Sequence, residues 1–289
     1  MVVGKAVIPI AGLGTRFLPV TLSIPKVMIP ILNYPSLHYC LEEAIDSGIT
    51  NIILVVSETQ REVIESYFGH NDPVVSALTS KGHLDLLEKV EKIKSTAQIE
   101  YIVQERPLGL GHAILLAKES IGDNSFAVLL PDDLILGNNP TIKIMLDLHS
   151  TEGEVIIAVK KVAPEAIPSL GIIDTSDSQG QIRQITGMIE KPALPDAPSD
   201  LAIIGRYILP ADIFEAIENS RKGVLGEIQL TDAINSIIPT RGCKGFLFEA
   251  NHFDVGIPMG MLKASIHKAL SDEETKKELK DWLENLEST

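Results

Sequence analysis

A glycine loop with two nearby cations lies close to the start of the chain. An apolar run over residues 6–10 leads directly into four loop residues: Gly12, Gly14, Thr15 and Arg16. Because glycine has no Cβ, such a loop can bring its backbone N–H groups close to a phosphate oxyanion. Two glycines alone are equally typical of an ordinary turn. Arg16 and the Pro25-Lys26 pair favour the phosphate interpretation, since a cation beside a proline has a restricted backbone and suits a fixed contact.

Two familiar phosphate-binding motifs do not match this loop. The dinucleotide motif requires a third glycine where the chain has Phe17, and it requires a helix that Leu18-Pro19 prevents. The P-loop pattern GxxxxGK[ST] does not occur in the sequence. A dinucleotide-dependent dehydrogenase is therefore only a distant alternative.

A second group of polar residues follows another apolar run, where ligands gather in open α/β sheets. Gln104 comes directly after a predicted strand and offers both a donor and an acceptor, as recognition of a pyrimidine edge requires. The backbone at Gly109 can approach the same base from another side. Taken singly, Gln104 is also typical of a strand end at the surface.

Two carboxylates also lie just beyond apolar runs. Asp132 follows the sequence FAVLLP, and Asp254 lies within HFDVG after the last predicted strand. Mg²⁺ usually takes one or two protein carboxylates and keeps its other positions for water and phosphate oxygens. Asp132 and Asp254 together meet that requirement. Each alone is also typical of a helix N-cap or a loop acid.

The pair Glu190-Lys191 ends a predicted strand and precedes a proline. A carboxylate accepts hydrogen bonds from sugar hydroxyls, and a lysine beside it can meet a phosphate, so the pair suits a phosphosugar. Gly171 would allow a sugar to lie against bare backbone. A solvated ion pair at the strand end is the ordinary alternative.

The elements that must position these residues follow an α/β pattern. Apolar runs predict strands near residues 6–10, 51–56, 99–103, 125–130 and 154–162. Helices are predicted at residues 36–47, 60–68, 84–94 and 111–120. Residues 171–192 alternate as a hairpin with a turn at 176–180, which suggests a substrate-facing extension. Further helices are predicted at residues 211–219 and 227–238 and from 259 onward, with a strand at 245–249.

Composition excludes several classes of function. The formal charge of −14, from 25 basic and 39 acidic residues, argues against a nucleic-acid surface. No apolar run approaches the roughly eighteen residues of a membrane span. Cys40 and Cys243 lie far apart in apolar settings and predict reduced core thiols, which favours a cytoplasmic location.

The motifs together resemble a known family. GLGTRFLP, PKVMIP, QERPLGLGHA, LLPDD, GMIEKP, LAIIGRYIL, GEIQLTDA and HFDVG occur in the order seen in bacterial UTP–glucose-1-phosphate uridylyltransferases. The resemblance runs over residues 5–269. It implies a nucleotide-diphospho-sugar transferase fold, which is a Rossmann-like mixed, mostly parallel sheet flanked by helices, with the hairpin facing the sugar.

The resemblance also implies roles for individual residues. UTP would be bound by Ala11, Gly12, Gly14, Thr15, Arg16, Lys26, Gln104 and Gly109, of which Gln104 and Gly109 would read uracil. Asp132 and Asp254 would hold the catalytic Mg²⁺. Gly171 and Glu190 would contact glucose 1-phosphate, and Lys191 its phosphate. The catalytic residues would be Arg16, Lys26, Asp132 and Lys191. Residues 1–270 would form one domain, with a nucleotide part to about 135 and a sugar part beyond it, followed by a helical tail over 271–289.

Some positions depart from the family pattern. The family commonly has an acidic residue at Val27, a tyrosine at Leu170, and Cys-Gly-Ser where this chain has Val255-Gly256-Ile257. These differences leave open the use of dTTP or another hexose phosphate, such as galactose 1-phosphate. A catalytically silent homologue that binds nucleotide sugars is a further alternative. A homo-oligomer, either a dimer or a tetramer, is expected.

Overall fold

A mixed nine-stranded sheet forms the centre of the computed structural model, which describes residues 3–69, 72–81, 87–149, 153–176, 179–221, 223 and 226–286. The strands of the described part are β1 Lys5–Pro9, β2 Pro30–Ile31, β3 Tyr34–Pro35, β4 Asn51–Val56, β5 Gln98–Val103, β6 Phe126–Leu129, β7 Asp133–Leu136, β8 Val155–Lys161, β9 Gly171–Thr175, β10 Ile182–Glu190, β11 Leu201–Leu209, β12 Cys243–Leu247 and β13 Asn251–Asp254. The nine strands of the main sheet lie in the order β5-β4-β1-β6-β11-β8-β12-β10-β9.

Helices cover this sheet. Those of the described residues are α1 Ser36–Asp46, α2 Glu58–Phe68, α3 Asp72–Lys81, α4 Glu88–Thr96, α5 Leu110–Leu115, α6 Lys118–Ile121, α7 Thr141–Leu148, α8 Ile213–Asn219, α9 Leu230–Arg241, α10 Pro258–Ala269 and α11 Glu273–Leu286. The helix predicted over residues 111–120 is two short helices, α5 and α6. Of the helix predicted at 84–94, residues 84–86 lie outside the described residues. In the described ranges, no helix combines the length and the apolar character that crossing a membrane requires.

The predicted parallel strands are confirmed. β1 pairs in parallel with β4 and β6, and β4 pairs in parallel with β5. Val7 of β1 lies in one apolar cluster, whereas its neighbours Ala6 and Ile8 lie in the cluster on the opposite face. Burial on both faces explains why β1, β4 and β6 are apolar runs in the sequence, whereas β5 at the sheet edge is partly exposed.

Strand β11 is an element that the sequence analysis did not predict. It lies at the centre of the sheet, antiparallel to β6 and β8, and all nine of its residues are buried. Its pairing with β8 is irregular between Ile204 and Tyr207, where Gly205 and Arg206 interrupt the ladder. An arginine inside the apolar run obscured the strand pattern.

The predicted hairpin is confirmed as strands β9 and β10, but it is not a separate extension. β10 pairs with β12, and Ile172 of β9 pairs with Ala202 of β11, so both strands belong to the main sheet. Glu190 lies opposite Gly171 in the hairpin register. Residues 177 and 178 of the predicted turn lie outside the described residues.

Asp254 occupies a different kind of element from the expected loop. It is the last residue of β13, which pairs with β7 in a separate two-stranded sheet, and it lies opposite Asp133. A strand of four residues gives too little periodic signal for prediction. Asp254 is thus held beside the segment that carries Asp132.

Candidate active site

Two adjoining cavities lie over the ends of β1, β5 and β6. The first has a volume of about 500 Å³ and the second about 480 Å³. Four residues line both: Leu110, Leu130, Asp132 and Glu227. A ligand in one cavity can therefore meet a ligand in the other at Asp132.

The structure brings the predicted site residues to these two cavities. The first is lined by Ala11, Gly12, Gly14, Thr15, Lys26, Gln104, Gly109 and Asp132. The second is lined by Arg16, Asp132, Gly171, Glu190, Lys191 and Asp254. Arg16 thus lies in the second cavity, whereas its loop neighbours line the first. Leu170 and Ile257, two positions that depart from the family pattern, also line the second cavity.

The glycine loop is held closely against the segment that carries Lys26. Gly14 has a φ of +65°, and a Cβ there would lie 3.0 Å from both Lys26 Cβ and Thr21 Cγ2. The Thr21 hydroxyl donates to the Gly14 carbonyl at 2.9 Å. Gln60 of α2 donates its side-chain N–H to the Gly12 carbonyl at 3.0 Å. The left-handed backbone angle at position 14 therefore favours glycine, and a Cβ there would make tight contacts with Lys26 and Thr21.

Lys26 forms an ion pair with Asp132. Its Nζ lies 2.7 Å from Asp132 Oδ2, and both side chains are partly exposed to the cavities. A phosphate or a cation entering here would compete for one member of the pair. The two groups that the family resemblance assigns to phosphate and metal thus neutralise each other in this structure.

Asp254 and Asp132 converge on Gly256. A Cβ at Gly256 would lie 3.0 Å from Asp254 Oδ1 and 3.3 Å from Asp132 Oδ2. Burial raises the pKa of Asp254 above its usual range, the Gly256 N–H lowers it, and the charges of Asp133 and Asp132 raise it further. Arg16 acts in the opposite direction, which indicates that its positive charge lies near this carboxylate. Carboxylates crowded in this way favour a bound cation.

The neighbouring Asp133 has a supporting role that sequence reasoning missed. Its Oδ1 lies 2.6 Å from His252 Nε2, and its Oδ2 accepts the Gly205 N–H at 2.9 Å. Burial alone would raise the pKa of Asp133, but the hydrogen bond and charge of His252, the charge of Arg206 and the Gly205 N–H hold it below its usual range. Asp133 thereby joins β7, β13 and β11 beneath the site.

A buried ion pair lies directly behind this region. Arg206 is 1% exposed, and its Nε and Nη2 donate to Glu43 Oε2 of α1 at 2.9 and 2.8 Å. Its Nη1 donates to the carbonyls of Leu130 and Gly205, both at 2.9 Å. Arg206 therefore holds the chain two residues before Asp132. The arginine inside the apolar run LAIIGRYIL is the feature of the sequence that could have indicated this ion pair, since a fully buried arginine requires a partner.

Gln104 and Gly109 lie together on one wall of the first cavity. Gln104 is 7% exposed, and its Nε2 lies 3.4 Å from the Gly109 carbonyl and 2.9 Å from His112 Nδ1. Gly109 has a φ of +98°, and a Cβ there would lie 2.9 Å from the Ile228 carbonyl oxygen. This wall therefore presents a fixed amide beside exposed backbone.

Glu190 and Lys191 lie on the wall of the second cavity. Lys191 Nζ is 3.1 Å from Glu190 Oε1, and the Lys191 N–H donates to the Leu170 carbonyl at 3.0 Å. Lys191 has a φ of +49°, which is uncommon for a residue with a side chain. A Cβ at Gly171 would lie 3.2 Å from Glu190 Oε2, so the carboxylate faces bare backbone.

The mixed sheet, the glycine loop and the paired cavities define a nucleotidyltransferase. The chain belongs to the nucleotidyl transferase family, whose model matches residues 5–270, and within it to the group of UTP–glucose-1-phosphate uridylyltransferases. Members of the nucleotidyl transferase family generally use a divalent metal ion. The family resemblance and the fold class expected from the sequence are both confirmed.

Curated relatives and solved structures support this membership. UTP–glucose-1-phosphate uridylyltransferase YngB of Bacillus subtilis is 40% identical, with 98% of this chain and 95% of that protein covered. The UTP–glucose-1-phosphate uridylyltransferase of Staphylococcus haemolyticus is 42% identical, with 98% of each chain covered. A UTP-bound UGPase from Acinetobacter baumannii superposes with a TM-score of 0.88 at 37% identity, covering 97% of this chain and 98% of that one.

Proposed function

We propose that the protein transfers UMP from UTP to glucose 1-phosphate and releases UDP-glucose and pyrophosphate. The single observation that carries this proposal is the pair of adjoining cavities that share Asp132. One cavity suits a nucleoside triphosphate and the other suits a sugar phosphate. The relatives named above support the choice of substrates.

The reaction needs positioning more than proton transfer. A phosphate oxygen of glucose 1-phosphate attacks the α-phosphorus of UTP, and the bond from that phosphorus to the bridging oxygen of pyrophosphate breaks. The nucleophile is already an anion, so no general base is required. Catalysis then consists of holding two mutually repelling anions in line and stabilising the charge of the transition state.

Three cations of the chain supply much of that stabilisation. Lys26 lies in the triphosphate cavity and would leave Asp132 to bind phosphate oxygens. Lys191 lies in the sugar cavity and would align the attacking phosphate. Arg16 lines the sugar cavity in this structure but follows Thr15 of the triphosphate cavity, and its exposed side chain would turn to the departing pyrophosphate and neutralise it.

Asp132 and Asp254 fit a divalent cation, for which we propose Mg²⁺. Both carboxylates flank Gly256, and the described residues contain no cluster of three or more His, Cys, Asp or Glu side chains that could hold a metal alone. This donor set matches Mg²⁺, which completes its shell with water and substrate phosphates. When bound, the ion would add positive charge at the transferred phosphoryl group.

Gln104 and Gly109 are suited to recognising uracil. Because the Gln104 Nε2 is directed to the Gly109 carbonyl and His112, its Oε1 is the atom left to accept the base N–H. The backbone at Gly109 approaches the same wall. We therefore assign this wall to the pyrimidine base.

Replacing Arg16 with alanine should lower kcat by about 10²-fold and leave the melting temperature within about 1 °C of wild type. The side chain is exposed, so its loss removes charge from the site without opening the core. Arg16→Lys keeps the charge and should recover part of the rate. Pyrophosphate release by each variant measures the effect, and a wild-type rate for Arg16→Ala would contradict the pyrophosphate role.

The choice of substrates is tested by rates over a small panel. Pyrophosphate release should give its highest kcat/KM with UTP plus glucose 1-phosphate, compared with dTTP and with galactose 1-phosphate. A higher value for another pair would assign the same chemistry to that pair. Release with none of them would favour a nucleotide-sugar sensor that has lost activity.

A further inference from the structure

Strand β10 leaves one of its two neighbouring strands before it reaches the sugar cavity. It pairs with β12 only over residues 182–184, whereas Glu190 and Lys191, at and just after its end, line the cavity. Between these two regions the register of β10 with β9 shifts between Ile185 and Gly187. Within the described ranges, the last part of β10 therefore has a strand, β9, along one edge only.

A side chain of α9 takes the place of a strand along the other edge. The Met188 N–H donates to Asn235 Oδ1 at 2.9 Å, and Asn235 Nδ2 donates to the Met188 carbonyl at 2.7 Å. A side-chain amide carries both a donor and an acceptor, so it can pair with both backbone groups as a neighbouring strand would. A Cβ at Gly187 would lie 3.9 Å from Asn235 Oδ1, which places the amide beside the register shift.

Asparagine is an unfavourable residue at this point of the helix. Asn235 lies in the middle of α9, and asparagine disfavours helix interiors because its side chain competes for backbone hydrogen bonds. Here the side chain points away from its own helix and bonds to β10. The contact with β10 therefore offsets a poor helix propensity, which indicates that the contact itself is needed.

The same helix supplies another wall of the sugar cavity. Residues 229–231, at the start of α9, line this cavity together with Glu190 and Lys191. Asn235 lies between one and two helical turns further along α9, and Met188 lies two residues before Glu190. The two hydrogen bonds of Asn235 therefore connect the walls that α9 and β10 contribute to the cavity.

We propose that Asn235 is a positioning residue that fixes Glu190 and Lys191 relative to α9 for binding of the sugar phosphate. The proposal rests on the function proposed above. Asn235 lines neither cavity and acts through the backbone of Met188. Without its amide, the end of β10 would keep its pairing with β9 and lose its connection to α9. A small displacement of the Glu190-Lys191 pair should weaken binding of the sugar phosphate and leave binding of UTP unchanged.

The matched variants Asn235→Ala and Asn51→Ala test this role. Asn235→Ala should raise the KM for glucose 1-phosphate about tenfold and keep the KM for UTP within about twofold of wild type. Asn51 Nδ2 also donates to a backbone carbonyl, that of Gly4 at 3.4 Å, and Asn51 lines neither cavity. Asn51→Ala should therefore keep both KM values. Wild-type KM values in Asn235→Ala, or an equal rise of both, would overturn the proposal, since a purely structural contact would not separate the two substrates.

A double-variant cycle shows whether Asn235 acts through the Glu190-Lys191 pair. Adding Asn235→Ala to Glu190→Ala or to Lys191→Ala should raise the KM for glucose 1-phosphate by less than the same change does in wild type. An undiminished tenfold rise in both backgrounds would overturn the proposal. Wild-type pyrophosphate release from UTP and glucose 1-phosphate reports separately on the proposed function, so the failure of one can be distinguished from the failure of the other.

Discussion

Replacing Asp132 with alanine should lower kcat by at least about 10³-fold while the protein stays folded. Asp132 lies where the two cavities meet, and it is one of the two carboxylates assigned to the metal ion. Its partly exposed ion pair with Lys26 contributes at most about 1 kcal/mol to the free energy of unfolding. Pyrophosphate release at saturating Mg²⁺ measures the rate, and circular dichroism checks the fold.

A control for this variant removes a carboxylate elsewhere. Asp46 forms a surface ion pair with Lys92 and lines neither of the two cavities. The Asp46→Ala variant should therefore keep the wild-type kcat. If Asp132→Ala keeps more than about a tenth of the wild-type activity at high Mg²⁺, the assignment of Asp132 to the metal site is wrong. An equal loss in both variants would point to a general effect of charge.

Replacing Arg206 with methionine should lower the free energy of unfolding by about 3–5 kcal/mol. The change leaves Glu43 buried beneath the sheet without its ion-pair partner, and the carbonyls of Leu130 and Gly205 lose a donor. We also expect kcat to fall at least about tenfold, because the segment that leads to Asp132 loses its bond to Arg206 and keeps only the backbone bonds of Leu130 with Gly205 and Asp133. Denaturant unfolding and pyrophosphate release measure the two effects.

A double variant separates stability from positioning. Glu43→Gln removes the buried charge and keeps an oxygen that can accept the Ile142 N–H, which Glu43 Oε1 accepts at 3.2 Å. Combined with Arg206→Met, it should recover part of the lost stability. The kcat should stay low, since the Leu130 carbonyl still lacks its Arg206 donor. Recovery of stability and rate together would show that Arg206 acts through the fold alone.

The sequence predicted the parallel half of the sheet because its signal is local. Strands β1, β4 and β6 are buried apolar runs, and the partly exposed edge strand β5 still carries enough apolar residues to be recognised. The residues assigned by family resemblance all line the two cavities. Arg16 lines the second cavity, although its loop neighbours Gly14 and Thr15 line the first.

The remaining features depend on contacts distant in sequence. Strand β11 carries a charge that only the buried partner Glu43, 163 residues away, makes acceptable. The pairing of β13 with β7 fixes Asp254 beside Asp133, and no pattern within either four-residue strand indicates that pairing.

The ion pair between Lys26 and Asp132 also has a thermodynamic consequence. Before any ligand arrives, the site carries its own counter-ions, and the first ligand must separate them. If Asp132 binds the metal ion and Lys26 the triphosphate, as proposed above, the ligand that binds second would meet a group already released, and each ligand would strengthen the binding of the other. For a partly exposed pair this cooperativity is at most about fivefold. Titration of Mg²⁺ with and without a nonhydrolysable UTP analogue measures it when wild type is compared with Lys26→Ala, and an equal gain in affinity in both proteins would show that the pair opens freely.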